Sequence, residues 1–144
     1  MKEHRHLGVY GLIVKDNKIL LIKKVSGPYD GLLDLPGGCL EFGELPIETL
    51  KRELEEETGY ASNNLTKLLS GITAVAFCNE IIDVFLARDL VKTSQNLDSG
   101  EAIEVECYYL EEIKDMIFSG QIEDFKTIAS VLAYESFVSR ENKE

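Results

Sequence analysis

Three glutamates, Glu53, Glu56 and Glu57, have the spacing in this sequence that most clearly suggests chemistry. On an α-helix, positions i, i+3 and i+4 share one face, so the three carboxylates would point the same way. Carboxylates this close repel one another, and a divalent cation would turn that repulsion into attraction. Hard cations such as Mg²⁺ and Mn²⁺ prefer oxygen ligands, so the spacing favours a metal site. The alternative is a solvated acidic helix face.

The flanking residues predict that a helix holds these glutamates between two tight loops. Pro46 suits the first turn of a helix and Gly59 suits its end, which predicts a helix over 46–58. Gly38 lets a ligand approach the backbone closely. Glu44 precedes the helix, where the helix dipole favours negative charge. Two loops of this kind would hold the carboxylates rigidly, as a metal site requires.

The rest of the chain reads as one α/β domain spanning residues 1–144, with mainly antiparallel or mixed strands. Strands are predicted over 7–14, 19–22, 32–35, 65–77, 81–87 and 103–110, and further helices over 110–118 and 124–140. The segment Pro36-Gly37-Gly38 is expected to break regular structure, and residues 91–100 are expected to form a loop. The apolar positions of the helix over 46–58 would pack against the sheet.

Residues 38–60 resemble the Nudix box. That pattern is a glycine, five residues, a glutamate, seven residues, and then Arg-Glu-apolar-any-Glu-Glu-any-Gly-apolar. Every fixed position matches, and the matching residues are Gly38, Glu44, Arg52, Glu53, Leu54, Glu56, Glu57, Gly59 and Tyr60. The resemblance implies a Nudix-like α/β/α sandwich with a mixed β-sheet and a loop–helix–loop catalytic box. It also implies an enzyme that hydrolyses nucleoside diphosphates linked to another group.

The resemblance assigns roles to particular residues. It implies that Mg²⁺, or Mn²⁺ in its place, is bound by Glu53, Glu56 and Glu57, and that Gly38 also belongs to the metal site. The body of the chain has no histidine, so the general base is expected to be a glutamate, either Glu53 or a residue outside the box. Outside the box the candidates are Glu101, which is preferred, and Glu104. For substrate contact they are Lys23 and Arg52, with Lys24 a weaker choice.

The box fixes the reaction and leaves the substrate open. Similar enzymes for ADP-ribose carry a proline after the box, and none follows Tyr60 here; dinucleoside polyphosphate hydrolases often have a tyrosine where Phe77 stands. These absences favour a MutT-like (deoxy)nucleoside triphosphate pyrophosphatase that releases a monophosphate and pyrophosphate, with oxidised dGTP as one substrate. The alternatives are a hydrolase of ADP-ribose or another nucleotide sugar or dinucleotide, and a nucleotide sensor without turnover.

Composition limits the partners. The formal net charge of −11 disfavours binding to a nucleic-acid polymer through a basic face. The longest stretch without a charged residue, 68–79, is too short to span a bilayer as a helix, and the first six residues lack an apolar signal core. The three scattered cysteines fit reduced thiols in a cytoplasmic protein. The expected partner is therefore a small nucleotide, and the resemblance allows a homodimer without marking an interface.

Overall fold

The computed structural model describes residues 6–144, so His4 and nearly all of the N-terminal segment lie outside the described residues. The described strands are β1 (Leu7–Lys15), β2 (Lys18–Lys24), β3 (Leu33–Asp34), β4 (Gly37–Cys39), β5 (Tyr60–Ala61), β6 (Asn64–Ile72), β7 (Ile81–Arg88), β8 (Val91–Lys92) and β9 (Ile103–Tyr109). The helices are α1 (Pro46–Thr58), α2 (Leu110–Phe118) and α3 (Phe125–Glu141).

A mixed sheet forms the centre of the molecule. Its main strand order is β3-β2-β1-β7-β6, with β4 also paired to β1 and β9 also paired to β2. Strand β1 runs antiparallel to β2 and parallel to β7, whereas β6 runs antiparallel to β7 along the outer edge. The prediction of a mixed sheet is therefore confirmed.

Helices cover both faces of the sheet because its central strands are apolar on both sides. Alternate residues of a strand point to opposite faces. On one face, Ile13 and Phe85 pack with Leu50 and Leu54 of α1. On the other face, a second cluster joins Leu12 and Val84 of the sheet to Ile113 and Met116 of α2 and Val131 of α3. The result is the predicted α/β/α sandwich.

Helix α1 begins and ends where the sequence predicts. Pro46 opens the helix, and the Leu45 backbone N–H donates to the Glu48 carboxylate at 2.8 Å. At the other end, Gly59 has φ 74° and its N–H donates to the Glu55 carbonyl, a left-handed termination that glycine adopts without strain. These local signals fix the length of the helix that carries the box glutamates.

Three other predictions differ from the structure. The Gly37-Gly38 pair does not interrupt the sheet but forms β4, which pairs with β1. Strand β6 ends at Ile72, and the apolar residues after it, such as Val75 and Phe77, lie in an exposed loop. The expected loop over 91–100 contains the short strand β8, which pairs with β5. Among the described residues, no helix is long and apolar enough to cross a membrane, and all three cysteines are free and exposed.

Candidate active site

Glu53 and Glu57 lie one helical turn apart on the wall of a cleft of about 340 Å³. The cleft lies between the C-terminal half of α1, strand β4, the end of β2 and the segment that leads into β9. Its lining residues are Lys24, Ser26, Gly37, Gly38, Glu53, Glu57, Gly100, Glu101, Ala102 and Ile103. Glu53 and Glu57 therefore face the same cleft as Glu101, the preferred candidate outside the box.

Strand β4 approaches α1 closely because it contains no side chain at the point of contact. A Cβ atom on Gly38 would lie 2.5 Å from Glu53 Oε1, which is too short for any real contact. Gly37 has φ 149°, and a Cβ there would meet the Val9 carbonyl of β1. The two glycines thus let a strand backbone form one wall of the cleft directly beside the Glu53 carboxylate.

The Glu57 carboxyl group is in an unfavourable place for a charge. The residue is only 7% exposed, and burial, together with the neighbouring Glu53, raises the pKa of Glu57 to about 9. Burial likewise raises the pKa of Glu53. The Oε2 atom of Glu57 is buried and has no hydrogen-bond partner among the described residues. Without a cation, the Glu53–Glu57 pair therefore retains a proton near neutral pH.

Arg52 gathers the acidic residues of the box around its guanidinium. It contacts Glu41 at 3.5 Å, Glu44 at 3.0 Å, Glu53 at 3.1 Å and Glu56 at 3.4 Å. Its hydrogen bonds to Glu44 raise the pKa of Arg52 and lower that of Glu44. The guanidinium is therefore occupied by carboxylates, and the structure does not direct it at a substrate in the cleft.

Glu56 lies apart from Glu53 and Glu57. Its carboxylate contacts Arg52 and lines a separate depression with Ser94 and Asn96. Although the i, i+3 spacing places Glu56 next to Glu53 on the helix surface, its side chain points toward Arg52 and does not line the cleft. The structure thus brings together two of the three expected metal ligands.

The loop after β8 holds the last turn of α1 in place. The Gln95 side-chain amide donates to the Glu57 carbonyl at 2.6 Å, and the Asn96 N–H donates to the Glu56 carbonyl at 2.8 Å. These contacts satisfy carbonyl groups that a helix end leaves unpaired. The same loop then continues to Glu101, which it brings to the cleft. Burial raises the pKa of Glu101, with Asp98 and Glu53 adding to the shift.

The lysine that faces the cleft is Lys24, the weaker of the two sequence candidates. Lys23 instead points to the other face of the sheet edge, where its Nζ lies 3.7 Å from the Glu106 carboxylate. Glu104 pairs with Lys23 across the β2–β9 ladder, is exposed and does not line the cleft. Lys24 lines the cleft and acts to lower the pKa of Glu57.

The residues of the cleft fit the divalent cation that the Nudix resemblance implies. A buried carboxylate oxygen without a partner is costly, and a cation would satisfy Glu57 Oε2. Within residues 6–144, no three acidic, histidine or cysteine side chains converge closely enough to hold an ion as they stand. Mg²⁺ needs only one or two carboxylates, because waters and substrate phosphates complete its shell. Glu53 and Glu57, beside the Gly38 backbone, meet that requirement.

Comparison with known proteins shows the family to which the chain belongs. A family profile for the NUDIX domain matches residues 3–131, and the chain therefore belongs to the Nudix hydrolase family, whose members cleave pyrophosphate bonds. The chain is 36% identical over 122 residues to ADP-ribose pyrophosphatase from Bacillus subtilis (strain 168), a match that covers 83% of this chain and 66% of that protein. This chain thus spans just under two thirds of that relative.

Two further similarities complete the comparison. The chain is 35% identical over 132 residues to the methanol dehydrogenase activator of Bacillus methanolicus, which covers 88% of this chain and 71% of that protein. A crystal structure of an ADP compounds hydrolase matches with a TM-score of 0.87 over 100% of this chain and 78% of that chain, at 21% identity. This last similarity shows the shared fold. The resemblance to the Nudix box, the sandwich fold and the hydrolase class are thereby confirmed.

Proposed function

We propose that this chain hydrolyses the diphosphate of ADP-ribose or a closely related nucleoside diphosphate sugar. Water adds to one phosphorus atom, the bond from that phosphorus to the bridging oxygen breaks, and ADP-ribose yields AMP and ribose 5-phosphate. The observation that carries the proposal is the cleft of Glu53, Glu57 and Glu101 in a chain that resembles an ADP-ribose pyrophosphatase over most of its length.

This proposal replaces the nucleoside triphosphate as the preferred substrate. The sequence favours a triphosphate only through residues that it lacks, chiefly a proline after the box. Similarity along 122 aligned residues is a broader observation than the absence of one residue. The alternative named from the sequence, a hydrolase of ADP-ribose or another nucleotide sugar, therefore becomes the principal one.

Electrostatics explain why the substrate would enter together with a cation. Among the residues that line the cleft, Lys24 is the one positive side chain, and it faces three glutamates. The chain as a whole carries a formal charge of −11. A diphosphate would be repelled from such a surface. When bound by Glu53 and Glu57, a divalent cation such as Mg²⁺ neutralises phosphate oxygens and aids the ionisation of water.

The charged side chains in and beside the cleft each have a part in the proposed reaction. Glu53 and Glu57 hold the cation, and Arg52 keeps Glu53 in one orientation. Lys24 contacts a phosphate oxygen of the substrate. Glu101 accepts the proton of the attacking water, because it faces the cleft from a loop and is not needed as a ligand. The pKa of Glu101 is raised toward neutral pH, and a general base is most effective when its pKa lies near the working pH.

A substrate panel with Mg²⁺ tests the proposal. We expect kcat/KM for ADP-ribose to exceed that for ATP, dGTP and oxidised dGTP by at least about tenfold, a difference of roughly 1.4 kcal/mol. GDP-mannose in the same panel shows whether a nucleoside diphosphate sugar with a different base and a different sugar is also cleaved. Glu57→Gln should lower kcat/KM by roughly 100-fold or more, and Glu55→Gln, an exposed neighbour on the same helix, should not. Preference for a triphosphate, or no turnover of any substrate, would contradict the proposal.

A further inference from the structure

A second cleft, of about 520 Å³, adjoins the first. The Lys24 side chain lines both, so the two clefts meet at the residue assigned to a substrate phosphate. The walls of this second cleft come from the loop between β2 and β3, from β3 and from the start of α3. Its lining residues are Lys24, Tyr29, Leu32, Asp34, Glu123, Asp124 and Lys126.

The loop that carries Tyr29 is braced by its own backbone. The Lys24 N–H donates to the Leu32 carbonyl at 3.0 Å, and the Gly31 N–H donates to the Lys24 carbonyl at 2.6 Å. The Leu32 N–H donates to the Tyr29 carbonyl at 3.0 Å. Tyr29 itself remains 64% exposed at the cleft. The protein thus presents an aromatic ring, whose apolar face suits a planar or sugar ring, on a defined turn.

The positive charge of Lys126 is already used within the protein. Its Nζ lies 2.6 Å from an Asp34 oxygen and 2.9 Å from an Asp124 oxygen, and 4.8 Å from the centre of the Tyr10 ring. Asp124 also caps α3 by accepting the Thr127 N–H at 3.1 Å. Neither Lys126 nor the start of α3 is therefore free to receive an anion.

Glu123 gives the second cleft its negative character. It is exposed, and within the described chain its carboxylate forms no ion pair or hydrogen bond. Beyond Lys24, the lining carries the three carboxylates of Asp34, Glu123 and Asp124 against the single ammonium of Lys126. A carboxylate accepts hydrogen bonds from hydroxyl groups and repels a phosphate.

We propose that the second cleft binds the sugar directly attached to the substrate's diphosphate, and that Glu123 makes the enzyme prefer it to a third phosphate. The group next to the diphosphate is a sugar in a nucleoside diphosphate sugar and a phosphate in a nucleoside triphosphate. Glu123 accepts hydrogen bonds from the sugar hydroxyls, and Tyr29 packs against the ring. This inference rests on the proposed function and names the residue that sets its substrate class.

Binding of uncleavable analogues tests this without requiring turnover. We would measure, by calorimetry with Mg²⁺, the Kd of α,β-methylene ADP-ribose and of α,β-methylene ATP for the wild type, Glu123→Ala and Glu123→Gln. Asp115→Asn is the control, because that exposed carboxylate on α2 lines neither cleft. We expect the wild type to favour the ADP-ribose analogue, and Glu123→Ala to reduce that preference roughly tenfold or more.

The conservative variant separates the two effects of Glu123. Glu123→Gln keeps a hydrogen-bond acceptor but loses the charge, so it should bind the ATP analogue more tightly while losing less affinity for the ADP-ribose analogue than Glu123→Ala does. A preference that is equal in the wild type and both variants would overturn the inference, as would a wild type that favours the ATP analogue. Failure to cleave ADP-ribose despite the expected Kd values would overturn the proposed function alone.

Discussion

Arg52 shows how one residue can matter to the proposed metal site without binding the metal. Its guanidinium holds four carboxylates, Glu41, Glu44, Glu53 and Glu56, in fixed positions around the start and middle of α1. A planar fork of five N–H donors can do this, whereas the ammonium of a lysine has a single centre. The role of Arg52 is therefore to orient Glu53 and to balance a local excess of negative charge.

Substitution of Arg52 by lysine should therefore be harmful although the charge is kept. We expect Arg52→Lys to weaken Mg²⁺ binding and kcat/KM by roughly 10- to 100-fold, the usual effect of losing a group that orients a ligand. Metal titration followed by kinetics checks this. Lys51→Arg, on the adjacent exposed position, serves as the control. Unchanged metal affinity in Arg52→Lys would show that the guanidinium does not position Glu53.

Gly38 allows a close approach that any side chain would prevent. In Gly38→Ala the new methyl group would lie 2.5 Å from Glu53 Oε1, so the carboxylate or β4 must move. We expect roughly a tenfold or greater loss of metal affinity and activity. Gly71→Ala is the matched control, because a Cβ there meets nothing within 4 Å. Equal behaviour of the two variants would mean that this wall of the cleft is not under steric constraint.

The protonation of Glu57 predicts how the stability of the metal-free protein depends on pH. The pKa of Glu57 is about 9 in the folded protein, against an ordinary value of 4.5 that applies to the unfolded chain. Between these two pH values, the folded protein keeps a proton on Glu57 that the unfolded chain has released. The contribution of Glu57 to stability is therefore full below about pH 4.5 and is lost as pH rises through about 9. Chemical denaturation between pH 6 and pH 9, without metal, should show this decline.

Glu57→Gln cannot titrate, so the same series should be flatter for this variant. Saturating Mg²⁺ should also flatten the decline in the wild type, because the cation favours the ionised carboxylate that burial disfavours. If Glu57→Gln shows the same loss of stability between pH 6 and pH 9 as the wild type, another group causes it.

Single residues also show the limit of sequence reasoning about the cleft. The i, i+4 spacing of Glu53 and Glu57 is enough to place them together, because it depends only on helix geometry. Lys24, and not Lys23, lines the cleft because of which face of β2 lies toward α1. Glu101 lines the cleft and Glu104 does not, because β9 begins between them. Both depend on contacts between distant segments, which local spacing does not reveal.

At the level of elements, the loop between β8 and β9 is the part that the sequence least explains. It reads as a polar loop, yet Gln95 and Asn96 bind the last carbonyl groups of α1 and the loop then delivers Glu101. No local signal marks Gln95, because its partner is the Glu57 carbonyl 38 positions earlier. Helix α1, by contrast, is set by its own proline, glycine and apolar stripe.

Loss of the Gln95 contact should loosen Glu101 without unfolding the protein. We expect Gln95→Ala to cost about 1 kcal/mol of unfolding free energy, the typical value of one hydrogen bond. It should lower kcat several-fold more than it raises KM, because the loop carries the proposed base. Denaturation and steady-state kinetics measure both. Asn96→Ala is the control, since Asn96 donates through its backbone, which the substitution retains. An effect on stability with no effect on kcat would separate the loop from catalysis.

The strands show a similar contrast. A pair of glycines is usually a break in regular structure, but β4 uses them because it must lie against β1 and beside Glu53. Conversely, the apolar run after Ile72 has the composition of a strand but lies in an exposed loop, with Phe77 89% exposed. Strand formation depends on available partners more than on intrinsic preference, so these boundaries could not be read locally.

Across the whole molecule, charge and shape both favour the proposed substrate class, a nucleoside diphosphate sugar. A chain with a formal charge of −11 places a lysine, Lys24, where two clefts meet. One cleft has a buried carboxylate, Glu57, and a half-buried one, Glu53, which together fit a cation, and the other has an exposed aromatic ring and an exposed carboxylate. This arrangement suits a molecule whose diphosphate lies between two uncharged sugars better than one that ends in a row of phosphates.

We expect the Glu53–Glu57 cleft to catalyse the cation-dependent hydrolysis of a diphosphate. The most direct measurement is ³¹P NMR of ADP-ribose with the wild type, Glu57→Gln and Glu55→Gln across a Mg²⁺ titration. We expect the diphosphate signals to be replaced by those of two phosphate monoesters for the wild type and Glu55→Gln, only when Mg²⁺ is present. For Glu57→Gln the rate should fall by roughly 100-fold or more. Equal rates in all three proteins, or turnover that persists in a chelator, would show that this cleft is not a cation-dependent active site.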